Sequence, residues 1–567
     1  MLKFTVAQIN PTIGDIDGNV ALMCDAARIA QSQGAKLVIF PELSLTAYYP
    51  ADLLDDPEFM RRVSDGLQLL LAESRAFPGL HWVVGAPTAN AGVGKRFHNS
   101  LLVIRAGEIL MTYHKQLLPT YNIFDERRHF EPGPDVVRVL EIEGVHVGFM
   151  ICEDGWNDEG RDYQVNPFVR LEDAAPDVVV SLNASPSNVG KREARHEIFG
   201  KASARHHFPI VYVNQVGGHD QLVYDGASFI VDPLKGLIFE AKQLDTDVIT
   251  LSIDEQDVFR DWQGRVLDTL RAPGLGSFEF YRRQIVLGLR DYARRCGFKT
   301  AVVGSSGGID SALTLALAVE ALGARNVVAI TMPSQFSSEG SVSDSQRLCD
   351  NLGIRLYGHP IRELVELYCR EFRQATGTDM AGVALENLQA RIRGTILMEY
   401  SNRFGNLLLT TGNKSEISVG YCTLYGDTNG GLGVIGDLYK TEVFGLSRHL
   451  NGSAGREIIP RAIIDKPPSA ELAPGQKDTD SLPPYETLDE VLKVLIEGER
   501  LSEAERMQAG LRIGELNATP EGQALVKRVR GMIARNEYKR RQAPPILRVR
   551  ARAFGSGRQM PIAARYA

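Results

Sequence analysis

Short β-branched runs alternate with longer amphipathic stretches through the first 250 residues of the chain. The runs FTVAQI, KLVIF, WVVGA, SLLVI, VGFMIC, DVVVSLNAS, IVYVNQV and ASFIVD are strand candidates, most of them closed by Gly, Pro, Asn or Ser. They predict a sheet-rich α/β domain. Between 251 and 280 the pattern lapses into DEQDVFRDWQGRV and then RAPGLGSF, the composition of an interdomain connection. The boundary is expected near 270–278 and divides the chain into 1–272 and 273–567. Beyond it, the helix-like FYRRQIVLGLRDYARRCG leads to the strand TAVVG, the loop SSGGIDS and the helix ALTLALAVEALGA. NVVAITM, DSQRLCDNLGI, ENLQARIRGTILMEYSNRFG and NLLLTTG continue the alternation, which predicts a doubly wound parallel sheet. The proline-rich, polar passage 465–485 reads as a loop over a site, with a passive surface connection as the alternative.

Composition narrows the function classes. Lys plus Arg number 63 and Asp plus Glu 70, a net −7, which argues against dedicated nucleic-acid binding. The 44% hydrophobic and 23% charged fractions are those of a globular chain. No window approaches eighteen uninterrupted apolar residues, so no membrane-spanning helix is expected. MLKFTVAQIN reads as a strand and not as a signal peptide, which makes the cytoplasm the expected compartment. Six scattered cysteines contain no C-x-x-C pair, so a catalytic thiol is a better use to test than structural zinc. From Lys527 onward twelve Lys or Arg face one acid, Glu537. That tail predicts either a solvated surface or contact with a small phosphorylated ligand or an acidic neighbour.

Three segments of the first half each place a reactive side chain after an apolar run: VIFPELSLTAYYPADL with Glu42, MTYHKQLLPTYNIFDERRHFEPG with Lys115, and VGFMICEDGW with Cys152. Strand ends are where open α/β sheets build sites. Singly, each residue has a plain explanation as a helix-starting acid, a solvated cation or a small buried hydrophobe. Together, in this order, they resemble the nitrilase or carbon–nitrogen hydrolase superfamily. The resemblance implies a four-layer α-β-β-α sandwich and a Glu-Lys-Cys triad. In that triad the thiolate attacks an amide carbonyl, Glu42 moves protons as general base, and the Lys115 ammonium stabilises the oxyanion. Glu126 matches a second family glutamate that orients the lysine. In the glutamine-using branch, Tyr121, Ser185 and Lys191 match the positions that hold the amino-acid end of L-glutamine, although SLNASPSNVGK is also ordinary turn chemistry.

The second half carries Ser305-Ser306-Gly307-Gly308-Ile309-Asp310-Ser311 between a strand and a helix. Close-packed backbone amides and a helix amino terminus make an anion cradle there. No Gly-Lys-Ser/Thr follows, so it is not a Walker A loop, and the Asp310 carboxylate needs a cation such as Mg²⁺ between itself and phosphate. The loop resembles the S-G-G-x-D-S signature of the ATP pyrophosphatase superfamily. Thr410-Thr411-Gly412-Asn413-Lys414-Ser415-Glu416, with Gly420, Tyr421 and Tyr425-Gly426-Asp427, is similar to the NAD synthetase branch. That resemblance implies ATP as substrate, bound by the 305–311 loop and Thr411. It implies Mg²⁺ held by Asp310 and Glu416, and deamido-NAD contacted by Asn387, Glu416 and Lys539. Lys440, in DLYKTEVF, reads more simply as a helix-face lysine.

Fusion of the two halves narrows the resemblance to glutamine-dependent NAD synthetases. It implies ATP-dependent amidation of deamido-NAD through an acyl-adenylate, with ammonia released from L-glutamine and passed through an internal tunnel. The same resemblance implies a homo-oligomer, from a dimer up to an octamer, while the charge balance and hydropathy lead to the expectation of no nucleic-acid or membrane partner. The rivals are another ATP-pyrophosphatase amidotransferase acting on a different carboxylate or nucleobase, a tRNA thiolase, and a nucleotide-binding scaffold without turnover. Amidotransferases of the GMP-synthetase and asparagine-synthetase kinds use other glutaminase triads or an amino-terminal cysteine, and position 2 here is Leu.

Overall fold

The computed structural model describes residues 1–564 and turns the alternating runs of the first half into two stacked sheets. The chain divides into two compact units, Met1–His219 with Val223–Gly274, and Leu275 onward with Asp220–Leu222. In the first unit a seven-stranded sheet runs in the spatial order Phe259–Arg260, Asp247–Ile253, Leu2–Gln8, Leu37–Ile39, His81–Ala89, Phe97–Arg105, Glu108–His114. A six-stranded sheet runs Gly236–Glu240, Phe229–Asp232, Ile210–Asn214, Val178–Asn183, Val145–Ile151, Val139–Ile142. All eight strand runs named above fall on these strands.

Strand pleating explains the layering. Val178, Val180 and Leu182 point into the core between the sheets, beside Phe4, Val6, Ile39 and Val83 from the other sheet. Val179, one residue out of phase, packs outward with Phe168, Phe199 and Ala202 from the helices Pro167–Ala174 and Lys191–His206. Both faces being covered, the strand is apolar throughout. The helices Ile16–Ser32 and Pro57–Ser74 pack on the seven-stranded sheet, which completes an α-β-β-α sandwich. The second of these starts where it does because Pro57 stands at its first position and the Asp56 carboxylate accepts from the Glu58 amide.

The second unit is built on a five-stranded, all-parallel sheet in the order Arg355–Gly358, Val327–Thr331, Ala301–Gly304, Leu407–Thr410, Leu432–Gly433. Ile361, Val365, Ile392 and Ile396, from the helices Arg362–Thr376 and Val383–Phe404 and the turn before them, cover one face through Val302, Ile330 and Leu408. Ser277–Arg295, Ile309–Leu322 and Lys440–Ala454 pack together on the other side. Chain order runs outward in both directions from Ala301–Gly304. The crevice beyond the strand ends therefore opens between Ala301–Gly304 and Leu407–Thr410. Tyr485–Ile496, Glu503–Asn517 and Pro520–Arg535 add a helical cluster around Leu488, Leu492 and Val529.

The basic carboxy-terminal stretch is divided: Lys527, Arg528, Arg530, Arg535 and Arg541 are exposed and Lys539 lines a cavity of the second unit, but several of its arginines are internal, which neither expectation included. Arg550 is buried and ion-paired to Glu442, Glu497 and Glu505, while Arg540 and Arg558 share Glu537. Arg548 donates to backbone carbonyls of Arg550 and Ala551. These charges are internal and tolerable because each is paired or hydrogen-bonded. Their acidic partners lie as far as 108 residues upstream, so no local charge count could reveal them. Arg565 lies outside the described residues.

Candidate functional site

Two constellations of reactive groups stand out, one in each unit. In the first, Lys115 follows the strand Glu108–His114, and its ammonium donates to Glu42 Oε1 and Glu126 Oε1, each at 2.7 Å. All three side chains are fully buried. Asn99 Nδ2 donates to Glu42 Oε1 at 2.7 Å, the Ala184 amide donates to Glu42 Oε2 at 3.1 Å, and Tyr48 donates to Glu126 Oε1 at 2.7 Å. Two carboxyl groups share one buried cation. Burial and the neighbouring Glu42 raise Glu126, against the opposing pull of Lys115.

Cys152 ends the strand Val145–Ile151 with φ +44°, in the left-handed region that a non-glycine residue enters at a cost. Asp154 over-determines this turn. Its carboxylate accepts from the amides of Ile151, Gln116 and Leu117 (3.1, 3.0 and 2.8 Å) and from the Tyr113 hydroxyl (2.7 Å). The bonds to Gln116 and Leu117 tie the cysteine turn to the Lys115 segment. Burial pushes the thiol well above its ordinary range, Glu42 pushes it further, and Lys115 opposes both. Glu42 and Lys115 therefore both act electrostatically on the thiol, in opposite senses.

Tyr121 is half exposed, and its hydroxyl donates to both oxygens of Glu153 at 3.1 Å. Tyr163 donates to the same carboxylate at 2.9 Å. Ser185 is buried one residue past the Ala184 amide that holds Glu42, and the Lys191 ammonium lies 3.6 Å from the centre of the Trp156 ring. The sequence reading omitted Asn99, Tyr48, Glu153 and Asp154. The last two sit inside VGFMICEDGW, where a pair of acids directly after an apolar strand was the available signal. Asn99 and Tyr48 had none.

In the second unit a cavity of about 520 Å³ opens at the crevice described above. Ser305, Ser306, Gly308, Ile309, Asp310 and Ser311 line it together with Thr411, Asn387, Glu416 and Lys539. Gly307 turns the loop with φ +76°, where a Cβ would lie 2.5 Å from the Ser341 carbonyl oxygen. Asp310 Oδ1 accepts from Asn413 Nδ2 at 2.8 Å, and Asn413 also caps the helix Lys414–Val419 that carries Glu416. Lys440, read from the sequence as a helix-face lysine, is instead buried between Asp310 and Glu416 and donates to both. Burial of the first helical turn, which periodicity cannot show, makes the difference. Asn387 Oδ1 accepts from Thr423 at 2.6 Å, and Lys539 donates to the carbonyls of Gly420 and Cys422 at 2.7 and 2.8 Å. The 465–485 passage walls the cavity through Lys466, Pro467, Pro468, Glu471 and Asp478.

The donor set suits a hard divalent cation. Burial, followed by repulsion from Asp310, pushes Glu416 up to about 8 even with Lys440 beside it, so a divalent cation arriving between the two carboxylates would favour the ionised form of Glu416. Mg²⁺ takes one or two carboxylates and completes its shell with phosphate oxygens and water, and Asp310 and Glu416 face the cavity where those would come from.

Comparison with known proteins bears on both units. A carbon-nitrogen hydrolase family model matches residues 3–260, and an NAD synthase model matches residues 281–543. A glutamine-dependent NAD(+) synthetase of Synechocystis is 43% identical with 99% of each chain covered. Its counterpart in Thermotoga maritima is 39% identical over 100% of this chain and 99% of its own. The crystallised glutamine-dependent NAD+ synthetase of Acinetobacter baumannii, in complex with ADP, is 36% identical with a TM-score of 0.76, covering 99% of this chain and 98% of that one. With both halves matched in order and full-length relatives well above 30% identity, the chain belongs to the glutamine-dependent NAD(+) synthetase family.

Proposed function

We propose that this protein makes NAD from deamido-NAD, ATP and L-glutamine, with residues 1–272 releasing ammonia and residues 273–567 using it. The observation that carries the reading is that one chain assembles both a buried Glu42–Lys115 pair beside Cys152 and a cavity-lining loop with Asp310, Glu416 and Lys440 at the sheet's crevice.

In the first unit the glutamine amide carbonyl is attacked by Cys152 as Glu42 takes the thiol proton. Lys115 holds the developing oxyanion, and Glu42 passes the proton to the leaving nitrogen, so that the C–N bond breaks, ammonia departs and a thioester on Cys152 remains. Glu42 then deprotonates the water that hydrolyses the thioester and frees glutamate. Glu126 keeps the ammonium oriented. Glu153, flanked by the hydroxyls of Tyr121 and Tyr163, is placed to receive the substrate's α-ammonium, and Ser185 and Lys191 its carboxylate. In the second unit, a carboxylate of deamido-NAD attacks the α-phosphate of ATP, and pyrophosphate leaves. The resulting acyl-adenylate has AMP as leaving group, which neutral ammonia displaces. The 305–311 loop and Thr411 hold ATP, and Asn387, Glu416 and Lys539 hold the dinucleotide. Asp310 and Glu416 would hold Mg²⁺, which would screen the charge of the phosphates.

Ammonia in neutral water is mostly ammonium and unreactive, which supports sequestered transfer through a tunnel; a homo-oligomeric assembly of at least two copies is supported only by the resemblance to the family. The test is to follow NAD and glutamate in wild type and Cys152→Ala with glutamine and, separately, with ammonium. NAD from glutamine in the wild type, and from ammonium alone in the variant, is the expected outcome. ATP cleavage with some other acceptor, and no NAD from either donor, would favour a different amidotransferase.

A further inference from the structure

The wall of the second-unit cavity contains, besides Lys440, a carboxylate surrounded by donors. Glu471 Oε1 accepts from the Ser341 hydroxyl at 2.7 Å, the Lys466 ammonium at 2.9 Å and the Ser338 hydroxyl at 3.0 Å. Lys466 also donates to Ser341. The cluster abuts the 305–311 loop, because the Ser341 backbone lies within 3 Å of where a Cβ on Gly307 would stand, at 2.5 Å for its oxygen.

Two further groups in the same cavity lack an anion. Ser305 is 2% exposed, and its hydroxyl oxygen has no hydrogen-bond partner. Arg393 uses Nε on the Met332 carbonyl at 3.1 Å and has no carboxylate within ion-pair distance among the described residues. Glu471 is the anion whose charge it feels, and burial still pushes the guanidinium down to about 10. Arg195 meets a carboxylate directly, whereas Arg393, like Arg548, donates to backbone carbonyls.

A lysine, an arginine and the hydroxyls of Ser305 and Ser341 line one cavity, with the exposed Ser338 bonded to Glu471 beside it, and they are the kind of donors a polyphosphate needs. We propose that Glu471 is an internal stand-in for the β- and γ-phosphates of ATP. On binding, the triphosphate tail displaces the carboxylate, takes over Lys466, Ser338 and Ser341, and draws Arg393. The 466–476 strap is thereby released from its substrate-free latch, and the leaving pyrophosphate departs from the same donors. The proposal rests on the reading that this cavity binds ATP.

The experiment uses the full chain. Inorganic pyrophosphate is titrated by calorimetry, and the KM for ATP is measured with ammonium as donor, for wild type, Glu471→Gln, Arg393→Met and Arg393→Lys. Removing the resident charge is expected to tighten pyrophosphate about tenfold and to lower the ATP KM in Glu471→Gln. Arg393→Met is expected to weaken both by about tenfold, with partial recovery in Arg393→Lys and a smaller change in the deamido-NAD KM. If Glu471→Gln weakens pyrophosphate as Arg393→Met does, Glu471 is part of the wall and the stand-in idea falls. If no variant changes pyrophosphate affinity while NAD is still made, the polyphosphate tail lies elsewhere. Failure of every protein, wild type included, to bind ATP would overturn the ATP reading itself.

Discussion

Lys115 is the residue on which the first site turns, because it is the only cation among the described residues bonded to both Glu42 and Glu126. Lys115→Met leaves two buried carboxylates facing each other, and should cost about 3–5 kcal/mol of stability along with glutamine hydrolysis. Thermal unfolding and glutamate release would measure the two losses. Glu126→Gln separates chemistry from folding, since an amide oxygen can still accept from the ammonium. It should lower kcat for glutamine by roughly 10–100-fold with KM little changed, as loss of an orienting partner does. Glu153→Gln should instead raise the glutamine KM by about tenfold, and leave ammonium-dependent NAD formation intact if Glu153 receives the α-ammonium. Glu42, Lys115 and Cys152 were legible because their chemistry constrains the residues around them. Asn99 and Tyr48 were not, because an asparagine and a tyrosine acquire their roles only from what they face.

At the scale of elements, the 305–311 loop and the carboxy-terminal segment show how local conformation and distant pairing place reactive groups. Gly307→Ala forces a Cβ to within 2.5 Å of the Ser341 carbonyl at a φ of +76°. The expected result is an ATP KM raised at least about tenfold and a stability loss of about 1–3 kcal/mol, with glutamate release from glutamine retained. Glu497 anchors the other element. Burial acts to raise its carboxyl, but Lys414 and Arg550 outweigh burial and hold it down to about 2 from the usual 4.5. A depressed acid contributes stability above the unfolded value and loses it as pH falls through the folded one. Glu497 therefore stabilises at pH 7 by about 3 kcal/mol, and this fades between pH 4.5 and about 2. Denaturation of Glu497→Gln beside wild type should show that gap at pH 7, narrowing toward pH 2. Because Lys414 adjoins the helix turn that presents Glu416, the variant should also raise the ATP KM.

For the whole molecule, the division of labour predicts that labelled external ammonium enters NAD poorly while unlabelled glutamine is present. Equal incorporation of both nitrogens, measured by mass spectrometry, would mean that ammonia is released to solvent before use. The α-β-β-α layering of the first half came only with the family resemblance of its motifs. The periodicity of apolar runs was enough to predict α/β architecture in both halves and a doubly wound parallel sheet in the second, because strands buried on both faces must be apolar throughout. The half-exposed edge strand Glu108–His114 escaped that reading, since one solvated face removes the continuous apolar signal. Tertiary structure alone decided which charges meet. It buried Lys440 between Asp310 and Glu416, set Glu471 among Lys466 and two serines, and paired Arg550 with three acids far upstream. Charge carries no periodicity. A lysine on a solvated face and one bridging two buried carboxylates have the same local sequence, and only the packing of distant elements fixes the dielectric and the partners that separate them.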